Sequence, residues 1–458
     1  MSFPRAHRPS MTRRLQPIAA ALALILSAGA SQAQSLSEVY EAARAFDPTY
    51  LGARALADSA QYKAEQAHAL NRPGVNLVVT GARTDADTPS STPAGTKANT
   101  LDGKLAAQQS LFNRANDLSI EQADKGLTVS QQALRAAEQD LIVRVASAYF
   151  DVLSSTEALR TVQANKTAVT EQLASARRNF EVGNATITDT REAEARLDLV
   201  RAQEIAAQAD VQVKQVTLDQ LVGRAGVTPQ GLSLPVTLPP VLPAQAADWV
   251  ALAESDSPAL TQARLAWDIA KLETDRAKAG HLPTVALGAS YDRAHTSADY
   301  KATRNSGWGN SNSTNGTAQI GVTLTVPIFS GYAVQNRVKE TVLLEDKARN
   351  DFEAARSGVT TGTRTAFLGA ASGNAQVKAL EAAEVSTKLA LDATQLGYKV
   401  GVKVNIDVLN AQVQLFQTQR DLAKARYDYL LATLKLRQAA GQLKGDDLLA
   451  ITALTARK

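Results

Sequence analysis

Two short stretches, 218 positions apart, bring the same groups together. Phe180-Glu181-Val182-Gly183 is followed by Ile187-Thr188-Asp189, and Tyr398-Lys399-Val400-Gly401 is followed by Asn405-Ile406-Asp407. A carboxylate, a phenol and an ammonium (Asp189, Tyr398, Lys403) can form charge-assisted hydrogen bonds, which are about twice as strong as neutral ones. A carboxylate repeated around a symmetry axis, as Asp407 would be in an oligomer, repels its copies and attracts cations. Read singly, each residue also has a plainer role. Asp189 with Glu192 three residues on has capping-box spacing, Asp407 suits the first turn of a helix, and Tyr398 suits a packing anchor. Gly183 and Gly401 are good helix stops.

No other chemistry competes with this. There is no cysteine, so disulfides and thiolate metal sites are excluded. His68, His281 and His295 are scattered without metal-ligand spacing, and no cofactor motif, nucleophile–base pair or glycine-rich phosphate loop occurs. The chain is not expected to be an enzyme. Arg5, Arg8, Arg13 and Arg14 precede an apolar run from Ile18 to Leu26, and Ser31-Gln32-Ala33 supplies a small-residue cleavage site. That order predicts a secretory signal peptide over residues 1–33, with Met11 as an alternative start. The four leader arginines account for the whole excess of basic over acidic residues, 49 against 45. The remaining chain is balanced, with no basic domain of the kind a nucleic-acid binder carries, and it lacks any run of roughly 18 apolar residues that could form a membrane helix.

Proline placement sets the elements that must position these residues. None lies between Pro93 and Pro229, and none follows Pro327. Proline costs about 3 kcal/mol inside a helix, so both stretches can hold very long helices. The spacing predicts one over 113–180, with Leu127, Leu134 and Leu141, then Val162, Val169, Leu173, Ala176 and Phe180, along its buried seam. A second is predicted over 189–222. The pattern then recurs, with Ser110-Leu111-Phe112 answered by Pro327-Ile328-Phe329 and Asn71-Arg72-Pro73 by His281-Leu282-Pro283. Two repeats, 34–235 and 244–445, are joined by a proline-rich linker over 236–243, and a tail follows over 446–458. Long helices in the second repeat are expected over 334–396 and 406–440.

Each repeat also carries one hairpin. Strands are expected over 75–85 and 101–112, then over 284–293 and 317–329, around polar loops at 86–100 and 295–316. Val75, Leu77 and Val79 alternate with Asn76, Val78 and Thr80, and Ile320, Val322, Leu324 and Val326 alternate with Gln319, Gly321, Thr323 and Thr325. Such alternation fits a membrane strand, apolar to lipid and polar to lumen, and equally a half-buried strand of a soluble domain. Four strands cannot close a barrel, and an open edge cannot sit in lipid. If the strands span a membrane, chains must share a barrel, and three chains give twelve strands with room for a lumen.

Further motifs make the sequence more specific. Ser35-Leu36-Ser37-Glu38-Val39-Tyr40 with Asp47-Pro48, Ala148-Tyr149-Phe150-Asp151-Val152-Leu153, the two tip motifs, Asp407-Val408-Leu409 and Ala425-Arg426-Tyr427-Asp428-Tyr429-Leu430 together resemble the TolC family of outer-membrane export channels. The resemblance covers essentially the whole chain after the leader. It implies a mainly α protein with a small β part, built as a duplicated helix-strand-strand-helix repeat. It also implies a homotrimer whose α-helical barrel continues into a shared 12-strand transmembrane β-barrel, with a periplasmic adaptor and an inner-membrane pump as partners. In the family a Thr–Asp pair on one hairpin holds a Tyr and an Arg on the other, closing the periplasmic entrance. The matching positions are Thr188, Asp189, Tyr398 and Lys403. Lysine lacks arginine's planar fork, so this latch should be less strictly oriented. Of the family's two aspartate rings, Asp407 matches one and Asn410 stands at the other, which weakens the expected cation site. Gly183 and Gly401 match the adaptor-docking tips. An adaptor or adhesin of coiled-coil type is the alternative, but neither carries a duplicated helix-strand-strand-helix order. The tunnel needs no substrate-shaped pocket, which leaves cargo choice, drugs or secreted proteins, to the pump.

Overall fold

The computed structural model describes residues 33–87, 95–183, 185–233, 235–301, 303 and 305–455; the leader expected over 1–33 lies almost wholly outside them. The first repeat runs α1 (Leu36–Phe46), α2 (Pro48–His68), β1 (Gly74–Asp87), β2 (Gly95–Phe112), α3 (Arg114–Glu181) and α4 (Ile187–Val222). The second runs α5 (Ala246–Asp256), α6 (Pro258–Ala279), β3 (Thr284–Lys301), β4 (Trp308–Thr325), α7 (Ala333–Lys399) and α8 (Asn405–Ala439), and α9 (Asp447–Thr455) closes the chain. Matching elements start by the same device. Asp47 before Pro48 accepts the Tyr50 N–H at 2.8 Å, and Ser257 before Pro258 accepts that of Leu260 at 3.4 Å. Proline at the first helical position sacrifices no hydrogen bond.

Helices α3 and α7 hold 68 and 67 residues, each about 100 Å long at 1.5 Å per residue. Below the sheet, α3 lies between α2 and α6, and α6 packs on α7. Toward the far tips the order is α4, α3, α8, α7. The main core lies at the waist, where α1, α3, α4, α8 and α9 bury Leu36, Ile142, Tyr149, Phe150, Leu218, Tyr427 and Leu448. Phe150 stacks on Tyr427 at 5.7 Å. The Tyr149 hydroxyl, buried there, accepts the Gln230 N–H at 2.7 Å and donates to the Gln34 carbonyl. The buried Asp47 takes two hydrogen bonds of 3.0 Å from Arg144, which hold its carboxyl below the usual range. The seam expected along α3 is buried at Leu141, Val169, Leu173 and Ala176, but Phe180 is 44% exposed, because the helix ends one residue later.

The four strands form one antiparallel sheet in the order β1-β2-β3-β4. The in-register rows Leu77–Leu105–Tyr291–Ala318 and Val75–Ala107–Ala289–Ile320 put apolar side chains on one face. Val79, Leu287, Val322 and Leu324 extend it, whereas Asn76, Thr80, Lys104, Gln108, Ser290, Asp292 and Gln319 occupy the other. A bulge between Ser110 and Phe112 returns Phe112 to the apolar side. Nothing among the described residues covers this face: Leu77 is 69% exposed and Ile320 76%. Both outer edges, β1 and β4, lack a partner strand among the described residues. The strands run further than the alternation suggests, so most of the stretches expected as loops, 86–100 and 295–316, are ladder. Their Ser, Thr and Asn residues are polar on both faces and carry no period. No described helix is long and apolar enough to cross a membrane.

Where the sheet meets the helices, Glu273 of α6 is a junction. It accepts hydrogen bonds from Arg276 (2.8 Å), from Gln122 of α3 (3.1 Å) and from Arg337 of α7 (2.6 Å). These donors, Arg276 foremost, outweigh its burial and pull its pKa down to about 2. A carboxylate depressed on folding stabilises the fold above its unfolded pKa near 4.3, and the contribution disappears as pH falls through the folded value. With the exposed guanidinium partners discounted for solvent screening, it is worth roughly 1–2 kcal/mol. Thermal melts of the full-length protein should lose this increment between about pH 4.5 and 2. Glu273→Gln should melt lower at pH 7 and show a shallower acid decline; an unchanged pH profile would refute the junction.

Candidate functional site

The far ends of the two helix pairs form the candidate site. Helix α3 ends at Glu181 and α7 at Lys399, and in each case the chain reverses through a left-handed glycine, Gly183 at φ 77° and Gly401 at φ 84°. Around Gly401, the Val402 and Lys403 N–H groups return to the Gly397 carbonyl at 2.9 and 3.1 Å. A side chain on either glycine would meet nothing described within 4 Å, so both turns are open at that point. They are also apolar: Val182, Ile187, Val400, Val404 and above all Val402, at 79%, are exposed. Water would not favour five such side chains at the end of a long lever unless something covers them.

Asp189 helps start α4, by a different route from its pairing with Glu192. Thr186 is the N-cap. Its hydroxyl accepts the Asp189 N–H at 3.2 Å, and the Asp189 carboxylate accepts the Thr186 N–H and hydroxyl at 2.9 and 2.8 Å. Asp407 is the counterpart in α8, accepting the Val404 N–H at 3.3 Å and lying 3.7 Å from Lys403. Thr188 is exposed beside Asp189. Tyr398 is partly buried with Leu391, Val408 and Leu415, and its hydroxyl accepts from Asn179 of α3 at 3.3 Å. Asn410 accepts from Arg196 of α4 at 3.1 Å. Within one chain, then, Asp189, Tyr398 and Lys403 each have a separate partner and do not meet. Near the tip, Glu194 of α4 binds Arg177 of α3 (2.7 Å) and Arg191 (2.8 Å), which hold its carboxyl low.

What joins the two hairpins centres on Asn405, an amide to which the sequence assigns no role. Asn405, 0% exposed, accepts from Gln172 of α3 through its side-chain oxygen and donates to the Asp189 carbonyl of α4 at 3.3 Å. Asn179–Tyr398 and Arg196–Asn410 flank it, and Leu409 packs among Val169, Leu173, Ala193, Leu197 and Val200. The one available signal was position: Asn405 stands where the first repeat has apolar Ile187.

An uncovered apolar sheet face, two strand edges without a partner among the described residues and a pair of long helical levers are the features of an outer-membrane channel protein. The chain belongs to the outer membrane efflux protein family, whose sequence profile it matches over residues 39–224 and 249–442. It is 31% identical over 441 residues to the outer membrane protein TolC of Escherichia coli, covering 96% of this chain and 88% of that one. It is also 31% identical over 353 residues to the alkaline protease secretion protein AprF of Pseudomonas aeruginosa, covering 76% of this chain and 71% of that one. The crystal structure of the outer membrane protein VceC of Vibrio cholerae has the same fold, with a TM-score of 0.73 at 20% identity over 89% of this chain and 96% of that one.

Asn405→Ala should leave Gln172 and the Asp189 carbonyl unpaired, a loss of roughly 1–3 kcal/mol confined to the seam. Hydrogen exchange should accelerate in residues 165–195 and leave the waist, residues 140–155, unchanged. Equal acceleration in both regions would mean that Asn405 serves the whole fold rather than the hairpin contact.

Proposed function

We infer that the protein is the outer-membrane channel of a tripartite export system, a conduit and not an enzyme. The observation that carries this is the sheet: four strands in register, apolar on one face and polar on the other, with both edges open. The apolar face lies in the outer membrane, and the helices extend into the periplasm as the tunnel. Cargo delivered by an inner-membrane pump, through an adaptor, leaves along the polar interior.

Three chains closing edge to edge fit this reading. Strand β1 of one chain pairs β4 of the next, which removes every open edge at twelve strands. The helical layer supports the same joint, because its outermost members, α4 and α7, expose Ile205, Val213 and Val216 on one side and Val385, Leu389 and Leu396 on the other. This closure also brings Thr188 and Asp189, on α4, toward Tyr398 and Lys403 of the neighbouring subunit, at the end of α7. The latch therefore acts between subunits, while the amides around Asn405 hold the two hairpins of one subunit together. Asp407 forms a carboxylate ring near the entrance, softened by its own Lys403 and by the uncharged Asn410. The apolar tips at Gly183 and Gly401 receive the adaptor helices.

Planar-bilayer recording tests the gate. Tyr398→Phe combined with Asp189→Ala should raise single-channel conductance, since each lost charge-assisted hydrogen bond is worth about 1.5–3 kcal/mol. Asp407→Ala should relieve a modest block by multivalent cations added on the periplasmic side. Wild-type conductance in the latch variant together with an unchanged block would leave these residues as helix caps and packing groups.

A further inference from the structure

Strands β3 and β4 hold 18 residues each, about 60 Å of ladder, whereas a membrane strand needs roughly 9–11 residues. Their upper halves must therefore stand above the hydrocarbon. Side chains still alternate between the two faces there, although polarity does not, and the lipid-facing set identifies what meets the headgroups first. Moving outward along the lipid-facing positions, β1 passes Val75, Leu77, Val79 and Gly81 to Arg83. On β2 the first charge after Leu101 is Lys97, and on β3 the first after Tyr291 is Arg293. On three of the four strands, the first ionisable group beyond the apolar run is basic, and β4 has none. The acids on this face (Asp85, Asp87 and Asp299) come later, and those nearest the membrane edge, Asp102 and Asp292, point into the lumen.

The three cations are not equivalent. Lys97 lies 4.0 Å from Asp85 and faces the Trp308 ring at 5.1 Å. Arg83 and Arg293 are exposed and have no hydrogen bond or ion pair among the described residues. Register places Ser297, not Arg293, in the row of Arg83. The two guanidiniums are thus four positions and two strands apart, roughly 16 Å. A strand tilt of about 40° offsets much of that difference in height, as the end of the apolar run shows by lying higher on β1 and β2 than on β3 and β4.

We propose that Arg83 and Arg293 bind the phosphate groups of an acylated, phosphorylated glycolipid in the outer leaflet, with its acyl chains on the apolar face directly beneath. Charge complementarity and continuity with the lipid-facing surface both select this ligand. Guanidinium is the side chain suited to bidentate phosphate contact, and an arginine at the rim of an apolar surface keeps its head in the polar layer. The proposal rests on the reading of the apolar sheet face as lipid-facing.

The test uses the full-length protein in detergent, with bound lipid counted by native mass spectrometry. The probes are the bisphosphorylated acyl glucosamine disaccharide, the same lipid without phosphates, and inorganic phosphate. Wild type should bind the bisphosphorylated lipid, and high salt should weaken that binding. Arg83→Gln with Arg293→Gln should lower the affinity on the order of tenfold per arginine, whereas Arg83→Lys with Arg293→Lys should retain most of it and Asp85→Asn should not reduce it. Unchanged affinity in the glutamine variant, equal binding of the lipid without phosphates, or equally strong capture of inorganic phosphate would overturn the proposal. Salt-insensitive binding to wild type would do so even if the glutamine variant failed to fold. Conductance of the wild-type protein in planar bilayers tests the lipid-facing reading separately, so failure of the arginine site is distinguishable from failure of the barrel.

Discussion

A backbone N–H or C=O left unpaired in hydrocarbon costs several kcal/mol, and this chain presents two complete strand edges to that cost. Everything else in the molecule is compatible with one remedy. The sheet has an apolar and a polar face but no closure of its own, and the helices at both sides of the flanking layer, α4 and α7, expose apolar side chains. The two repeats supply two hairpins each, one of strand and one of helix, so a single closure rule serves barrel and tunnel together. An isologous dimer joins identical edges; a heterologous ring joins β1 to β4 and α4 to α7 in the same sense. Under that closure, one interface geometry would fix long levers, strand ladders and tips together.

Within the chain, the waist and the tips are held differently. At the waist, buried aromatic and aliphatic side chains surround a few satisfied polar groups, such as Tyr149 and the Asp47–Arg144 pair. Burial of this kind gives local stability close to that of the whole fold. Toward the tips the apolar packing shrinks to small clusters, such as Leu409 among Val169, Leu173, Ala193, Leu197 and Val200, and exposed ion pairs such as Arg177–Glu194 contribute little. The hairpins meet through amides around Asn405, with no buried charge. Neutral hydrogen bonds of this size can be exchanged for others at modest cost, which suits a part that must move while the waist stays fixed.

The long helices were legible because proline is absent from two stretches of the sequence and because the apolar period persists. The lower halves of the strands were legible because one face needs lipid. Their upper halves were not, since Ser311, Asn312 and Thr314 have water on both sides and carry no pattern. Phe180 looked like core because it fell on the helical period; only the structure shows that α3 ends one residue beyond it and leaves it 44% exposed. Asp189 was recognised as a helix-start residue, but its partner Thr186 lies upstream of it, not downstream. Asn405 was visible in the tip motif but carried no role of its own: an asparagine near a helix start reads as a cap, and its burial depends on α3 and α4, more than 200 positions away. The resemblance located the tips, whereas the single chain pairs Asp189, Tyr398 and Lys403 separately, because the contact proposed for them involves a second subunit.

The central claim is that β1 of one subunit pairs with β4 of the next, and only twice more before the ring closes. The absence of cysteine makes it directly measurable. Leu77→Cys can be combined in turn with Ile320→Cys, Val322→Cys and Leu324→Cys, oxidised in membranes and resolved by denaturing electrophoresis. A disulfide needs Cβ atoms about 3.5–4.5 Å apart, so one of these registers should link chains efficiently. The account predicts a ladder of one, two and three chains and nothing larger. No inter-chain product in any register, or a ladder that continues past three, would contradict it.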